Sequence, residues 1–244
     1  MNRRNIEARL HREGYRVQTF RRLVLAWFRS SGRYFPWRAR RASNYVLVVS
    51  ELLLQRTRAE TVAVFFPQFI RRYPNWNALA RATEDELRVF LEPIGLWRRR
   101  SISLRALAVQ ISARRGRFPT ARDELESLPG VGQYVANAVV TFCQQGREPL
   151  LDVNMCRVLE RCFTPRALED IRYDPWLQAL AHAVVDHPRA REINWAVLDL
   201  AALVCTIRNP QCSECPLQAC CQYAGRQRRR TSRMEGASSI ARVA

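Results

Sequence analysis

The chain has 244 residues, 48% of them hydrophobic, so it can bury one large core or two smaller ones and is not a disordered chain. Its formal net charge of +18 and its sequence pI of about 10.9 favour a polyanionic partner. All 40 Lys and Arg positions are arginine, which excludes chemistry that needs a lysine amine, such as a lysine Schiff base.

Apolar residues at helical spacing predict an α-helix in most segments of the chain. Two helices are expected from Tyr45 and from Thr61, with Ser43 or Asn44 as the N-cap of the first. A third is expected after Thr83, with Glu86 completing a capping box and "PIG" as the stop. The remaining predicted helices are "RSISLRALAVQISARRG", "ARDELESL", "QYVANAVVTFC", "NMCRVLERCF", "DPWLQALAHAVVD" and "INWAVLDLAALVC". Strand alternation is weak throughout, so the sequence predicts an all-α fold.

A glycine-rich turn, "LPGVGQ" at residues 128–133, joins two of the predicted helices. Glycine permits backbone angles that other residues resist, and backbone N–H groups at the start of the second helix can then point at a phosphate. Any tight connection between helices could use such a turn. In a chain of this charge it is a candidate contact to phosphate groups. The residues assigned to that contact are Leu128, Gly130, Val131 and Gly132.

Four cysteines share one segment of seventeen residues near the end of the chain. They are Cys205, Cys212, Cys215 and Cys221. Thiolates are soft ligands, and this arrangement suits either a tetrahedral zinc ion or a [4Fe–4S] cluster, between which the spacing does not choose. Cys220 could replace Cys221 sterically. The three other cysteines lie in helical stretches and are interpreted as small buried core residues: Cys143, Cys156 and Cys162.

The order of these features resembles the helix-hairpin-helix DNA glycosylases of the endonuclease III superfamily. The turn, an aspartate twenty residues after it in "LLDVNMCRVLER" and the cysteine loop carry this similarity, together with "FPWR", "SELLLQRT", "RYPNWNALARATEDEL", "GLWRRR" and "AVLDLAALVCTIRNPQCSECPL". It extends from about Phe35 to Cys221.

The resemblance implies a two-domain fold. A six-helix barrel domain is expected at residues 38–146, and residues 1–37 and 147–224 would form a cluster domain. The loop at residues 205–221 would hold a [4Fe–4S] cluster through the four cysteines. Residues 225–244 are expected to form a flexible basic tail, which could touch DNA or remain solvated.

Two branches of the superfamily resemble this chain most: adenine glycosylases that act opposite 8-oxoguanine, and thymine/uracil mismatch glycosylases that act opposite guanine. Both carry a glutamate that matches Glu51. Endonuclease III has a lysine at the seventh position of the hairpin motif, which gives it strand-cleaving lyase activity, whereas this chain has Tyr134. A monofunctional glycosylase is therefore predicted. The tyrosine favours the thymine/uracil branch, as do the 23 residues after Cys221, too few for the 8-oxoguanine-reading domain usual in adenine glycosylases.

The resemblance also implies roles around a flipped-out base. Asp152, oriented by Asn154, would stabilise the oxocarbenium-like sugar and orient water. Glu51 would hydrogen-bond or protonate the leaving base, since its apolar neighbours favour the protonated form. Tyr134 would line the base pocket. Three further residues are candidates for DNA contact: Gln55 to fill the vacated space, Leu96 as a wedge, and Arg56 at the pocket or a phosphate.

Plainer interpretations remain open for these residues. Asp152 could act only as a helix N-cap, Glu51 could lie exposed on its helix, and Tyr134 and Leu96 could be core residues. An adenine glycosylase without its lesion-reading domain and a non-catalytic, zinc-stabilised DNA-binding protein are the alternative functions.

The expected partner is double-stranded DNA with a mismatched or damaged base, bound by a monomer. No membrane is expected as a partner, because no apolar run reaches the length of a membrane span and the start of the chain lacks the apolar core of a signal peptide. A cytoplasmic, nucleoid-associated location follows.

Overall fold

The computed structural model describes residues 2–229, which form α-helices, short 3-10 turns and loops but no strand, so the all-α prediction is confirmed. Eleven helices lie wholly within this range. They are α1 (Arg3–Ser31), α2 (Asn44–Leu54), α3 (Ala59–Arg72), α4 (Trp76–Arg81), α5 (Glu84–Leu91), α6 (Trp97–Ala113), α7 (Arg122–Glu126), α8 (Gln133–Cys143), α9 (Val153–Cys162), α10 (Pro175–Val185) and α11 (Ala190–Leu203). In the part of the chain that is described, none of the helices combines the length and apolarity needed to cross a membrane.

The chain divides into two compact units. The first consists of Met1–Arg33 and Pro149–Ala244, and the second of Tyr34–Glu148. In the first unit, α1 packs against α10 and α11, and α9 packs against the same two helices. The centre of this core contains fully buried apolar side chains, among them Phe20, Val24, Leu159, Leu177, Ile193 and Leu200.

In the second unit, α2 packs against α3 and α8, while α6 packs against α4 and α5. Its core is rich in aromatic residues. Trp37 packs edge-on against Phe66 with 5.3 Å between ring centroids, and Tyr45 packs against Trp76 at 4.8 Å. The segments that matter below, the end of α2, the turn before α6 and the turn between α7 and α8, all belong to this unit.

The predicted helix caps are present. Ser43 caps α2 by accepting a hydrogen bond from the Val46 N–H at 3.3 Å. Thr83 and Glu86 form both halves of a capping box at the start of α5. The predicted stop after α5 is a 3-10 turn, Glu92–Ile94, followed by Gly95 with φ of 69°.

Sequence analysis missed α1 and the helical segment at residues 222–229. The buried residues Phe20 and Val24 follow Val17 by three and seven positions, which is the spacing of one helical face. Arginines and Gly14 interrupt this apolar pattern. The tail was expected to be flexible from residue 225, yet residues 222–229 are helical, in keeping with the helix propensity of alanine, glutamine and arginine. Residues 230–244 of that predicted tail lie outside the described residues.

Candidate active site, hairpin and cysteine loop

The hairpin between α7 and α8 presents backbone rather than side chains. Leu128 and Val131, two of the predicted DNA-contacting residues, are only 4% exposed and anchor the turn in the core. Gly130, which lies between them, and Gly132, which follows Val131, are exposed. Gly130 has φ of 77°, and a Cβ atom there would stand 3.1 Å from the Cβ of Ser103. Gly132 is the N-cap of α8 and places no side chain over the helix start, where a phosphate is favoured.

Two predicted catalytic residues meet within the second unit. Glu51 lies on α2 and is 5% exposed, and half-buried Tyr134 lies on the first turn of α8. The Tyr134 hydroxyl donates a hydrogen bond to Oε2 of Glu51 at 3.1 Å. The alternative of an exposed glutamate is therefore wrong for Glu51. Packing of α2 against α8 brings together two residues that are 83 positions apart in the chain.

Asp152 is the N-cap of α9, in the first unit. Its Oδ1 atom accepts hydrogen bonds from the N–H groups of Asn154 at 2.9 Å and Met155 at 2.8 Å. Its Oδ2 atom accepts a third from Nδ2 of Asn154 at 2.7 Å. Burial raises the pKa of Asp152 above its ordinary 3.8, although these hydrogen bonds and the charge of Arg157 oppose the shift. The structure thus shows the capping role and the predicted contact with Asn154 at one residue.

A chain of hydrogen bonds leads from this aspartate to the cysteine loop. Asn154 accepts a hydrogen bond from Nη1 of Arg157 at 3.2 Å. Arg157 in turn donates to the carbonyl oxygen of Cys205 at 2.9 Å and to that of Ala201 at 3.0 Å. Sequence analysis did not single out Arg157, although its position three residues after Asn154 on one helical face was a signal that could have found it.

Arg161, one helical turn after Arg157, holds the next part of the loop. It donates to the carbonyl oxygens of Thr206 at 2.7 Å and Ile207 at 2.9 Å, and Nη1 lies 3.3 Å from Sγ of Cys205. Two arginines on α9 therefore fix the backbone at the first cysteine of the loop.

The four predicted ligand cysteines line one pocket of the first unit, together with Cys162. Cys220 does not line it, and its Sγ atom instead lies 3.4 Å from the carbonyl oxygen of Leu217. Cys162 is buried, as expected of a core residue, but it also reaches this pocket. Its hydrogen bond to Cys221 lowers the pKa of the Cys221 thiol to about 6.

The donor set around this pocket fits a soft metal cluster. The same four thiols also fit a tetrahedral zinc ion. Within residues 2–229 no group of three or more histidine, cysteine or acidic side chains is arranged to hold one metal ion.

The remaining DNA-contact candidates are exposed. Gln55 ends α2, and its Nε2 atom lies 3.4 Å from the carbonyl oxygen of Gly130 in the hairpin. Arg56 follows with φ of 57°. Leu96 precedes α6 with φ of 52° and is 47% exposed, so its alternative interpretation as a core leucine is wrong.

All-helical units, a glycine hairpin between two helices and a buried glutamate beside a tyrosine are the features expected of a helix-hairpin-helix DNA glycosylase. The chain belongs to the HhH-GPD superfamily of base excision DNA repair proteins, whose pattern it matches over residues 49–173.

Curated relatives extend over most of the chain. It is 40% identical over 213 residues to a thymine-DNA glycosylase of Aeropyrum pernix, covering 85% of this chain and 95% of that protein. It is 37% identical to a thymine/uracil-DNA glycosylase of Pyrobaculum aerophilum, covering 86% and 94%. It is also 37% identical to an adenine DNA glycosylase of Mycobacterium tuberculosis, covering 83% and 67%.

A solved structure of a thermostable thymine-DNA glycosylase superposes with a TM-score of 0.79 at 28% identity, covering 87% of this chain and 98% of that one. The protein is thus a DNA glycosylase of base excision repair, and the predicted helix-hairpin-helix glycosylase fold is confirmed.

Proposed function

We propose that the protein is a monofunctional DNA glycosylase that removes thymine or uracil mispaired with guanine, acting as a monomer on double-stranded DNA. The observation that carries this proposal is the hydrogen bond between Tyr134 and Glu51. Tyr134 stands at the position that the resemblance gives to the lyase lysine, and no lysine occurs in the sequence to replace it. Without that amine, hydrolysis by activated water is the remaining route and leaves an abasic site.

The direction of this hydrogen bond suits a pyrimidine. Because the Tyr134 hydroxyl donates its proton to Glu51, its oxygen would meet a bound base as an acceptor rather than as a donor. Thymine and uracil carry an N3–H donor that complements such an acceptor. Glu51 holds the tyrosine ring in place and lies on the base side of the reaction, where negative charge accumulates on the leaving group.

Asp152 supplies the opposite charge on the sugar side. Breaking the glycosidic bond builds positive charge on the sugar ring, and an ionised carboxylate stabilises that state and orients the attacking water. Three hydrogen bonds from Asn154 and Met155 hold the carboxylate rigidly, so that little reorganisation is needed in the transition state.

Cys205, Cys212, Cys215 and Cys221 would hold a [4Fe–4S] cluster in the pocket that they line. Bound there, the cluster supplies a covalent cross-link of the loop rather than a step in base release. Arg157 and Arg161 fix the loop backbone at Cys205 from α9. Loss of the cluster would then disturb the position of Asp152 through the hydrogen bonds of Arg157 and Asn154.

A pair of neighbouring cysteines tests this ligand set. Cys221 lines the pocket and Cys220 does not, so Cys221→Ser should lower the iron content and the broad visible absorbance of the purified protein, while Cys220→Ser should keep both. Iron and sulfide analysis of the two variants measures the effect. Equal loss in both, or a colourless wild-type protein that contains zinc, would contradict the cluster.

Single-turnover base release tests the substrate. Matched duplexes containing T·G, U·G, A·G or A·8-oxoguanine are incubated with excess enzyme and analysed with and without hot alkali. Release of thymine or uracil, with strand breaks only after alkali, is the expected result. Adenine release would move the protein to the branch of its Mycobacterium tuberculosis relative. Binding without release from any duplex would indicate a non-catalytic DNA-binding protein.

A further inference from the structure

Arg100, on the first turn of α6, is a buried cation whose hydrogen-bond partners are all uncharged. It is 6% exposed. Its two terminal nitrogens donate to five oxygen atoms at 2.6–2.9 Å. These are the carbonyl oxygens of Ile94, Gly95, Leu53 and Gln55 and the hydroxyl of Thr57.

Such a residue is costly to keep. Burial lowers the pKa of Arg100, which reflects the penalty for removing its charge from water. Within the described residues its Nε atom has no hydrogen-bond partner either. Replacing a buried charge by packed apolar groups often leaves stability unchanged or higher. Stability alone is therefore a weak reason for an arginine at this position.

The five acceptors belong to two chain segments that lie far apart in sequence. One is the end of α2, residues 53–57, and the other is the turn at residues 94–96. A direct hydrogen bond from the Thr57 hydroxyl to the carbonyl oxygen of Ile94, at 3.2 Å, joins them as well. Arg100 thus connects the two segments through five further hydrogen bonds.

Each of these segments holds one non-glycine residue in the left-handed region. Arg56 has φ of 57° and Leu96 has φ of 52°, a conformation that is unfavourable for residues with a side chain and persists only where the surroundings enforce it. Both side chains are exposed, as is that of Gln55 beside Arg56. Strained backbone under exposed side chains is typical of sites that contact a ligand.

We propose that Arg100 is a positioning residue that holds the Gln55–Arg56 segment and the Leu96 turn in a fixed arrangement. These two segments, the probes, then enter the duplex together and hold open the space left by the flipped base. The proposal rests on base flipping by the proposed glycosylase. Unstacking a base costs free energy, and segments that are already fixed in place lose less binding energy to their own ordering. The planar fork of arginine can serve both segments at once, which a lysine ammonium cannot.

Arg100→Lys tests the proposal, with exposed Arg99→Lys on the same helix as the matched control. Base release is measured from one U·G pair flanked either by A·T pairs or by stronger G·C pairs. A base between G·C pairs is harder to unstack, so its release depends more on correctly placed residues. Arg100→Lys should therefore lower base release about tenfold more with G·C than with A·T flanks, within the range that misplacement of distant groups can cost. The control should show no flank dependence beyond wild type. Equal losses on both duplexes would overturn the proposal, because a merely structural defect does not depend on the flanks.

Fluorescence of 2-aminopurine placed next to the mispaired base reports flipping without any chemistry. Wild-type protein should raise the signal on binding, and Arg100→Lys should raise it much less at saturating protein. This measurement separates the two proposals. A wild-type protein that unstacks the reporter but releases neither thymine nor uracil would refute the proposed substrate and leave the role of Arg100 standing. A full signal from Arg100→Lys would refute the role of Arg100.

Thr57→Val serves if Arg100→Lys does not fold. It removes one of the five acceptors and the direct link between the segments, while nearly conserving side-chain volume. A smaller loss of the 2-aminopurine signal, again with larger effects beside G·C pairs, is expected. No change in signal or in flank dependence would overturn the proposal.

Discussion

Glu51 and Asp152 are two carboxylates that the protein surrounds in opposite ways. Glu51 lies in the middle of a helix, nearly fully buried among apolar residues, and accepts a hydrogen bond from a neutral hydroxyl. Asp152 lies at a helix start, half-buried, and accepts three hydrogen bonds from N–H groups. The N–H donors around Asp152 favour its ionised form, although burial has the larger effect and raises its pKa above 3.8. The three N–H donors suit the ionised Asp152 that we propose on the sugar side, and the contact with Tyr134 suits the proposed place of Glu51 on the base side.

Of the substitutions considered, Asp152→Asn should lower base release the most. The amide keeps the shape but loses the charge, and we expect base release to fall about 10³-fold or more while binding to the mismatch duplex stays largely intact. Single-turnover release and a binding titration measure the two quantities. Some stability is also expected to be lost, about 1 kcal/mol, because a helix cap is weakened.

Asp174→Asn separates that cap effect from catalysis. Asp174 caps α10 and accepts hydrogen bonds from the N–H groups of Ala167, Leu168 and Leu177 at 2.7–2.8 Å, so its replacement weakens a similar but fully buried cap. We expect lower thermal stability with base release preserved. If Asp174→Asn loses release as strongly as Asp152→Asn, the role given to Asp152 is only structural.

Glu51→Gln should have the next largest effect. The amide oxygen can still accept the hydrogen bond from Tyr134, but glutamine cannot transfer a proton to the leaving base, and we expect a loss of about 10²-fold in base release. Tyr134→Phe, which removes only the donor, should cost less. Release by Glu51→Gln at the wild-type rate would show that the glutamate orients the tyrosine and does nothing further.

Much of the fold followed from local signals. The capping box at Thr83, the cap at Ser43 and the glycine at the hairpin each depend on residues within a few positions of one another. The resemblance pointed to Glu51, Tyr134 and Asp152, whose surroundings the structure then supplied.

Contacts between distant segments could not be predicted in this way. Arg100 and Arg157 are two arginines among 40, and both donate to carbonyl or hydroxyl oxygens 43–48 positions away, contacts that no spacing rule predicts. Helix α1 was missed for a related reason, since its apolar face is narrow and its partners, α10 and α11, come much later in the chain.

The smallest expected effect concerns pH. Burial raises the pKa of Asp152 above 3.8, so the folded protein binds this proton more tightly than the unfolded chain does. Stability from this group is thus fully present below the unfolded pKa and is lost as pH rises through the folded one. Relative to Asp152→Asn, which does not titrate there, wild-type protein should gain unfolding free energy as pH falls from neutrality to about 4.

Activity should change in the opposite direction over the same window, because only the ionised aspartate stabilises the sugar cation. Base release by the wild type should decline as pH falls through the raised pKa, and Glu51→Gln should keep that acid limb at its lower rate. Thermal melts and single-turnover rates across this pH range measure both trends. An acid limb that disappears in Glu51→Gln would assign it to Glu51 and reverse the roles that the two environments suggest.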